Sequence, residues 1–121
     1  MKVLIVEDSK ATRELLATTV QTISGVEVVC AISGFEALKV LPRFQFALII
    51  TDINMPDING LELINFVKKN PHYKDTPLFV VTTEGREQDR DRGLQLGADE
   101  YVVKPVAPER LCDLVRRYLK L

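Results

Sequence analysis

The chain has 121 residues, 46% of them hydrophobic and 27% charged, with a formal net charge of −1. A chain of this size can form one domain around its own core and needs no disulfide or metal to hold it. The near-zero charge gives no general attraction to nucleic acid or to an anionic membrane, and no apolar run reaches membrane-spanning length.

Residues 2–6 (KVLIV) are too few for a helix and rich in Val and Ile, so they predict a buried strand ending at Glu7 and Asp8. The same opening has the Lys and short apolar run of a signal peptide. It stops at Glu7, too soon for a secretory h-region, so the cytoplasm is the expected compartment. Ser9 is placed to cap a helix from Lys10 to about Ile23, with Leu15, Leu16, Thr19, Val20 and Ile23 at helical spacing. Residues 26–32 form the second strand. Ser33-Gly34 opens a short helix through Phe35, Leu38 and Leu41 that Pro42 ends. Residues 46–51 form the third strand, with almost no polar alternation, so both its faces should be covered.

The loop Asp57-Ile58-Asn59-Gly60 leads into a helix to about Lys69, with Leu61, Ile64, Phe66 and Val67 as its main apolar residues. Asn70-Pro71 ends it. Residues 78–82 form the fourth strand. The segment 85–97 is dense in charge, with only Leu94 and Leu96 as large apolar residues, and predicts a shallowly packed, mobile helix. Gly93 inside it should cost about 1 kcal/mol relative to Ala in an exposed helix interior. Residues 101–103 form the fifth strand, ending at Lys104-Pro105. Pro108 suits the first turn of a last helix running to about Leu119. Cys30 and Cys112 form no CxxC pair and are read as reduced and buried. His72 has no second His or Cys with which to share a metal and reads as a solvated loop residue.

Five strand–helix units in one domain, 1–121, predict an α/β fold: a doubly wound, five-stranded parallel sheet with five helices on its two faces. Reactive side chains mark four of the five strand ends: Glu7 and Asp8 after the first, Asp52 after the third, Thr82 after the fourth and Lys104 after the fifth. The second strand ends in Ala31 and Ile32, which suits an edge position. That asymmetry fits the order 2-1-3-4-5 of the flavodoxin-like class, with a ligand crevice between strands one and three.

Asp52 alone has a plain reading as a turn residue. Beside Glu7 and Asp8 it becomes part of a three-carboxylate cluster whose members repel and raise one another's pKa. A hard divalent cation removes that conflict, and few protein oxygens suit Mg2+ better than a Ca2+ cage. An EF-hand loop from Asp52 fails, since Asp57 stands where Gly is needed and Leu63 where Glu is needed. With the cation present a carboxylate can attack a phosphoryl group, whose spreading negative charge needs donors such as Lys104 and Thr82.

The motifs VEDS (6–9), TDINMPDINGLEL (51–63), VVTTE (80–84) and GADEYVVKP (97–105) together resemble the receiver domain of two-component response regulators over essentially the whole chain. The resemblance implies a CheY-like phosphorylation-dependent switch, not an enzyme acting on a separate substrate. Asp52 would be the phosphoacceptor and a histidine kinase or phosphotransfer protein the donor. Mg2+ would be held by Asp8, Asp52 and the Asn54 backbone carbonyl, with Glu7 acting mainly through water. Thr82 and Lys104 would hold the phosphoryl oxygens. Tyr101 would be the switch aromatic that turns inward with Thr82, and Asn54 and Glu84 would tune phosphoryl lifetime. Lys104-Pro105 matches a bond that is usually cis. The output face would be the fourth helix, fifth strand and fifth helix, read by an unnamed protein target. No direct nucleic-acid contact and no membrane insertion are implied, and the state is a monomer or a weak phosphorylation-dependent dimer.

Two departures stand out: Glu7 replaces the commoner Asp, and Thr83 replaces a smaller residue and crowds the approach to the phosphoryl group. A metal-dependent Asp-nucleophile phosphatase would carry its nucleophile after the first strand, with a second Asp two residues on. Here Asp52 follows the third, with Asn54 in that place. A flavin protein would need a phosphate loop where Glu7-Asp8 repels phosphate. Met1 at the start and a helix at the end favour a stand-alone regulator over a receiver cut from a longer regulator or hybrid kinase.

Overall fold

The computed structural model describes residues 1–121. Strands and helices alternate along the chain: β1 Lys2–Val6, α1 Lys10–Gln21, β2 Glu27–Ala31, α2 Gly34–Val40, β3 Phe46–Thr51, α3 Gly60–Lys69, β4 Leu78–Thr82, α4 Glu87–Gln95, β5 Glu100–Val103 and α5 Pro108–Leu119. All strand pairs are parallel and the order is β2-β1-β3-β4-β5, as expected. No helix is long and apolar enough to cross a membrane.

Because side chains alternate across a strand, the apolar strands feed two cores at once. Val3, Ile5, Leu48, Ile50, Phe79 and Val81 pack against α1 and α5. Leu4, Val6, Ile49, Leu78 and Val80 pack against α2 and α3. The helices start where the sequence supplies a cap. Ser9 Oγ accepts the Thr12 amide at 3.4 Å, Ser33 Oγ the Glu36 amide at 3.1 Å and Asn59 Oδ1 the Glu62 amide at 3.0 Å.

Several expectations need correction. Cys30 is exposed, not buried, and lies on β2, the edge strand of the sheet; Cys112 is buried, and both are free thiols. Leu15, Phe35 and Phe66 sit at apolar spacing but face outward, on the flanks of helices whose buried stripes are narrower than their apolar content. The helix α1 stops at Gln21, two residues early, since the Thr22 and Ile23 amides turn back onto Thr19 and Val20. The helix α4 is only Glu87–Gln95, and Gly93 is buried in it, not exposed. His72 is exposed, as read from sequence.

Candidate functional site

The parallel sheet delivers its strand ends to one edge. There β1 hands over Glu7 and Asp8, β3 Asp52, β4 Thr82 and β5 Lys104. Glu7 and Asp52 are buried and Asp8 is exposed at the rim. One carboxylate oxygen from each of the three lies within 4.8 Å of the others.

Lys104 stands among them. Its Nζ donates to Glu7 Oε1 at 2.5 Å and to Asp52 Oδ2 at 2.9 Å. The carboxylates therefore do not simply raise one another, as the sequence suggests. Burial pushes Glu7 up, and its bonds from Lys104 and the Ser9 amide do not offset that. Burial pushes Asp52 up too, but the Thr82 hydroxyl, the Lys104 bond and charge and the Ile53 amide outweigh it and hold it below the ordinary range. Burial pulls the Lys104 ammonium down, and its two carboxylate partners more than restore it. Of the two buried carboxylates, Asp52 is thus the one whose surroundings favour the ionised form, the form a nucleophilic carboxylate needs.

The cluster suits a small hard cation: three carboxylate oxygens converge and the side at Asp8 is open to water. Asn54 follows Asp52 by two residues, on the loop 53–59 that rises beside the cluster. Its Nδ2 donates to Glu84 Oε1, so the two side chains lie across the mouth of the site.

Tyr101 on β5 pairs with Val80 of β4, and Thr82 stands two residues further along β4 on the same face of the sheet. The Thr82 hydroxyl accepts the Glu84 amide at 3.3 Å. The Tyr101 ring is already turned inward: it is 7% exposed and its hydroxyl donates to the Glu84 carbonyl. Burial, then the charges of Asp89, Glu84 and Asp52, raise its pKa. Gly93 explains how the ring fits. A Cβ there would stand 3.2 Å from ring atom Cδ2, so the missing side chain is room for Tyr101 and not a weakness in an exposed helix. Gly93→Val is expected to evict the ring. Nitration of Tyr101, mapped by mass spectrometry, should then run several-fold faster than in wild type; an unchanged rate would show that Gly93 does not seat it.

Two supporting side chains were not foreseen. Arg13 Nη1 donates to the Glu7 and Asp8 carbonyls at 3.0 and 3.3 Å and ties α1 to the acidic turn. Its place one turn into the helix after that pair is the signal that was available. Asp57 binds backbone amides of α2, and nothing in local spacing marks it. The Lys104-Pro105 peptide is cis, as expected.

A family model described as the response regulator receiver domain matches residues 3–116. The chain belongs to that family. This receiver domain is 38% identical over 112 residues to the chemotaxis protein CheY homolog of Campylobacter jejuni, covering 92% of this chain and 86% of that protein. Its fold matches the chemotaxis response regulator CheY4 of Vibrio cholerae with a TM-score of 0.88, at 38% identity and 97% of each chain. It also matches the Mn2+-bound form of response regulator Rcp1 with a TM-score of 0.88, at 26% identity, covering 98% of this chain and 94% of that one. The receiver is thus a CheY-like signalling domain with a five-stranded flavodoxin-like sheet.

Proposed function

We propose that this receiver is a phosphorylation-dependent switch whose phosphoacceptor is Asp52. The observation that carries the reading is the Lys104 ammonium between Glu7 and Asp52, beside an ionised Asp52 carboxylate. An Asp52 oxygen attacks the phosphorus of a phosphohistidine on a histidine kinase or phosphotransfer protein. The P–N bond breaks, and its electron pair leaves with the imidazole. Lys104 and Thr82 then hold the phosphoryl oxygens, where charge grows during transfer.

Asp8, Asp52 and the Asn54 carbonyl would hold Mg2+, with Glu7 reaching it through water. That the response regulator Rcp1, of the same fold, has a Mn2+-bound form supports a divalent cation as the ligand here. When bound, Mg2+ neutralises the phosphoryl oxygens and the carboxylates together. Asn54 and Glu84, joined across the mouth of the site, govern water access and so phosphoryl lifetime.

Output runs through Thr82 to the face of α4, β5 and α5, where a protein target distinguishes the two states. The compartment proposed is the cytoplasm, where its kinase partners display their phosphohistidine.

Acetyl phosphate with Mg2+ is expected to add one phosphoryl group to the wild-type chain by intact mass, and none to Asp52→Asn. Here the P–O bond breaks and acetate leaves. Equal labelling of the two would place the phosphoacceptor elsewhere.

A further inference from the structure

The helix α2 follows the one strand whose end carries nothing reactive, and the switch as described gives it no task. Its first turn is nonetheless tied to the loop after Asp52. Asp57 Oδ1 accepts the Gly34 amide at 3.1 Å and Oδ2 the Phe35 amide at 3.0 Å. Oδ1 also accepts the Ile58 amide at 2.7 Å, which fixes the carboxylate's own orientation. Both oxygens are therefore committed to one clasp between loop and helix.

The approach is close. A Cβ on Gly34 would lie 2.8 Å from both the Cβ and the carbonyl oxygen of Ile58, so only glycine lets the loop seat here. At the base, the Gly60 amide donates to the Ile53 carbonyl at 2.7 Å and closes the loop on itself. Between base and clasp lie Asn54, Met55 and Pro56, and Pro56 fixes one of the few free torsions. A chain held at both ends over so short a span has little freedom to carry its carbonyls elsewhere.

We propose that Asp57 is a positioning residue for the cation: by clasping the amino end of α2 it holds the loop so that the Asn54 carbonyl faces the carboxylate cluster. Asp57 touches neither the ion nor the phosphoryl group. It acts as the outer partners of metal ligands do, by fixing where a ligand atom can be. Linkage requires the converse: Mg2+ at the cluster must tighten the clasp by the same factor by which the clasp tightens Mg2+. This rests on the proposed metal site.

The test compares wild type, Asp57→Ala, Asp57→Asn and Gly34→Ala. Calorimetric titration with Mg2+ should show a loss of about tenfold in affinity for Asp57→Ala, the low end for an outer partner of a metal ligand. Asp57→Asn keeps an acceptor oxygen and should recover part of that loss. Gly34→Ala, which displaces the loop with Asp57 intact, should lose affinity too. Hydrogen exchange supplies a readout that a purely structural role would not move. Mg2+ should slow exchange at the Gly34 and Phe35 amides in wild type and leave it unchanged in Asp57→Ala. Wild-type affinity in Asp57→Ala, or no Mg2+-dependent protection of those amides in wild type, overturns the assignment and leaves the metal site standing. Failure of wild type to bind Mg2+ at all overturns the metal site, and this assignment with it.

Discussion

Lys104→Met is expected to bind Mg2+ more tightly than wild type and to accept phosphate far more slowly. The two effects have one cause. In the resting chain the ammonium lies 2.9 Å from Asp52 and 2.5 Å from Glu7, so it occupies the electrostatic place of a cation. Mg2+ entering the same cluster meets a like charge. Removing that charge should raise Mg2+ affinity by about tenfold, which corresponds to about 1.4 kcal/mol of relieved repulsion. Met keeps most of the stem length and suits a side chain only 16% exposed, so packing is largely preserved. During transfer the balance reverses. Charge grows on the phosphoryl oxygens, and losing a placed donor there costs roughly 10²–10³ in rate. Asp52 also loses much of what holds its carboxyl below the ordinary range, so labelling should need a higher pH. Calorimetry and timed intact-mass labelling at saturating Mg2+ decide it. Wild-type labelling would remove Lys104 from the chemistry, and weaker Mg2+ binding would mean that it does not compete with the ion.

Gly60→Ala should be the most destabilising single methyl group in this chain. The added Cβ would lie 2.1 Å from the Asp52 carbonyl oxygen and 2.7 Å from Ile53 Cα, and both are backbone atoms with nowhere to go. Relief requires α3 to back away from the loop or the Asp52 backbone to move. The first opens the packing of Leu63, Ile64 and Val67; the second displaces Asp52, the proposed phosphoacceptor. A loss of about 3–4 kcal/mol is expected, above the usual range for overpacking because the clash is with backbone. The neighbouring Asn59→Ala removes the cap to Glu62 and should cost only about 1 kcal/mol. Urea unfolding separates them: with a slope of about 1–3 kcal/mol/M, Gly60→Ala should move the midpoint down by at least 1 M. A midpoint no lower than that of Asn59→Ala would mean that the loop yields freely.

The strands were legible because they are enclosed. Three of them are buried on both faces, so composition alone marks residues 2–6, 46–51 and 78–82 with the bounds the structure has. The side chains that converge at the strand ends were legible for a related reason: each stands where an apolar run stops. Helix faces were harder to read. Leu15 and Leu16 are indistinguishable by type, yet only Leu16 is turned to the sheet. The contacts made by what is absent from a side chain were not legible at all. Gly93 looks like a helix defect until the Tyr101 ring is beside it, and Gly60 like an ordinary turn until Asp52 is behind it. Such roles depend on distances between segments that no local spacing encodes.

The thin attachment of α4 bears on how receivers of this kind diverge. Of its nine residues only Gly93 is buried, and neither of the two cores rests on its exposed side chains. Exchanges at Glu87, Gln88, Arg90 or Asp91 therefore stay within about 0.5 kcal/mol of neutral for folding. They alter the charge and shape presented to another protein and leave the strand ends where they are. A gene duplicate could acquire a new listener through a run of such steps, each one viable, while the two copies went on sharing the chemistry proposed for Asp52.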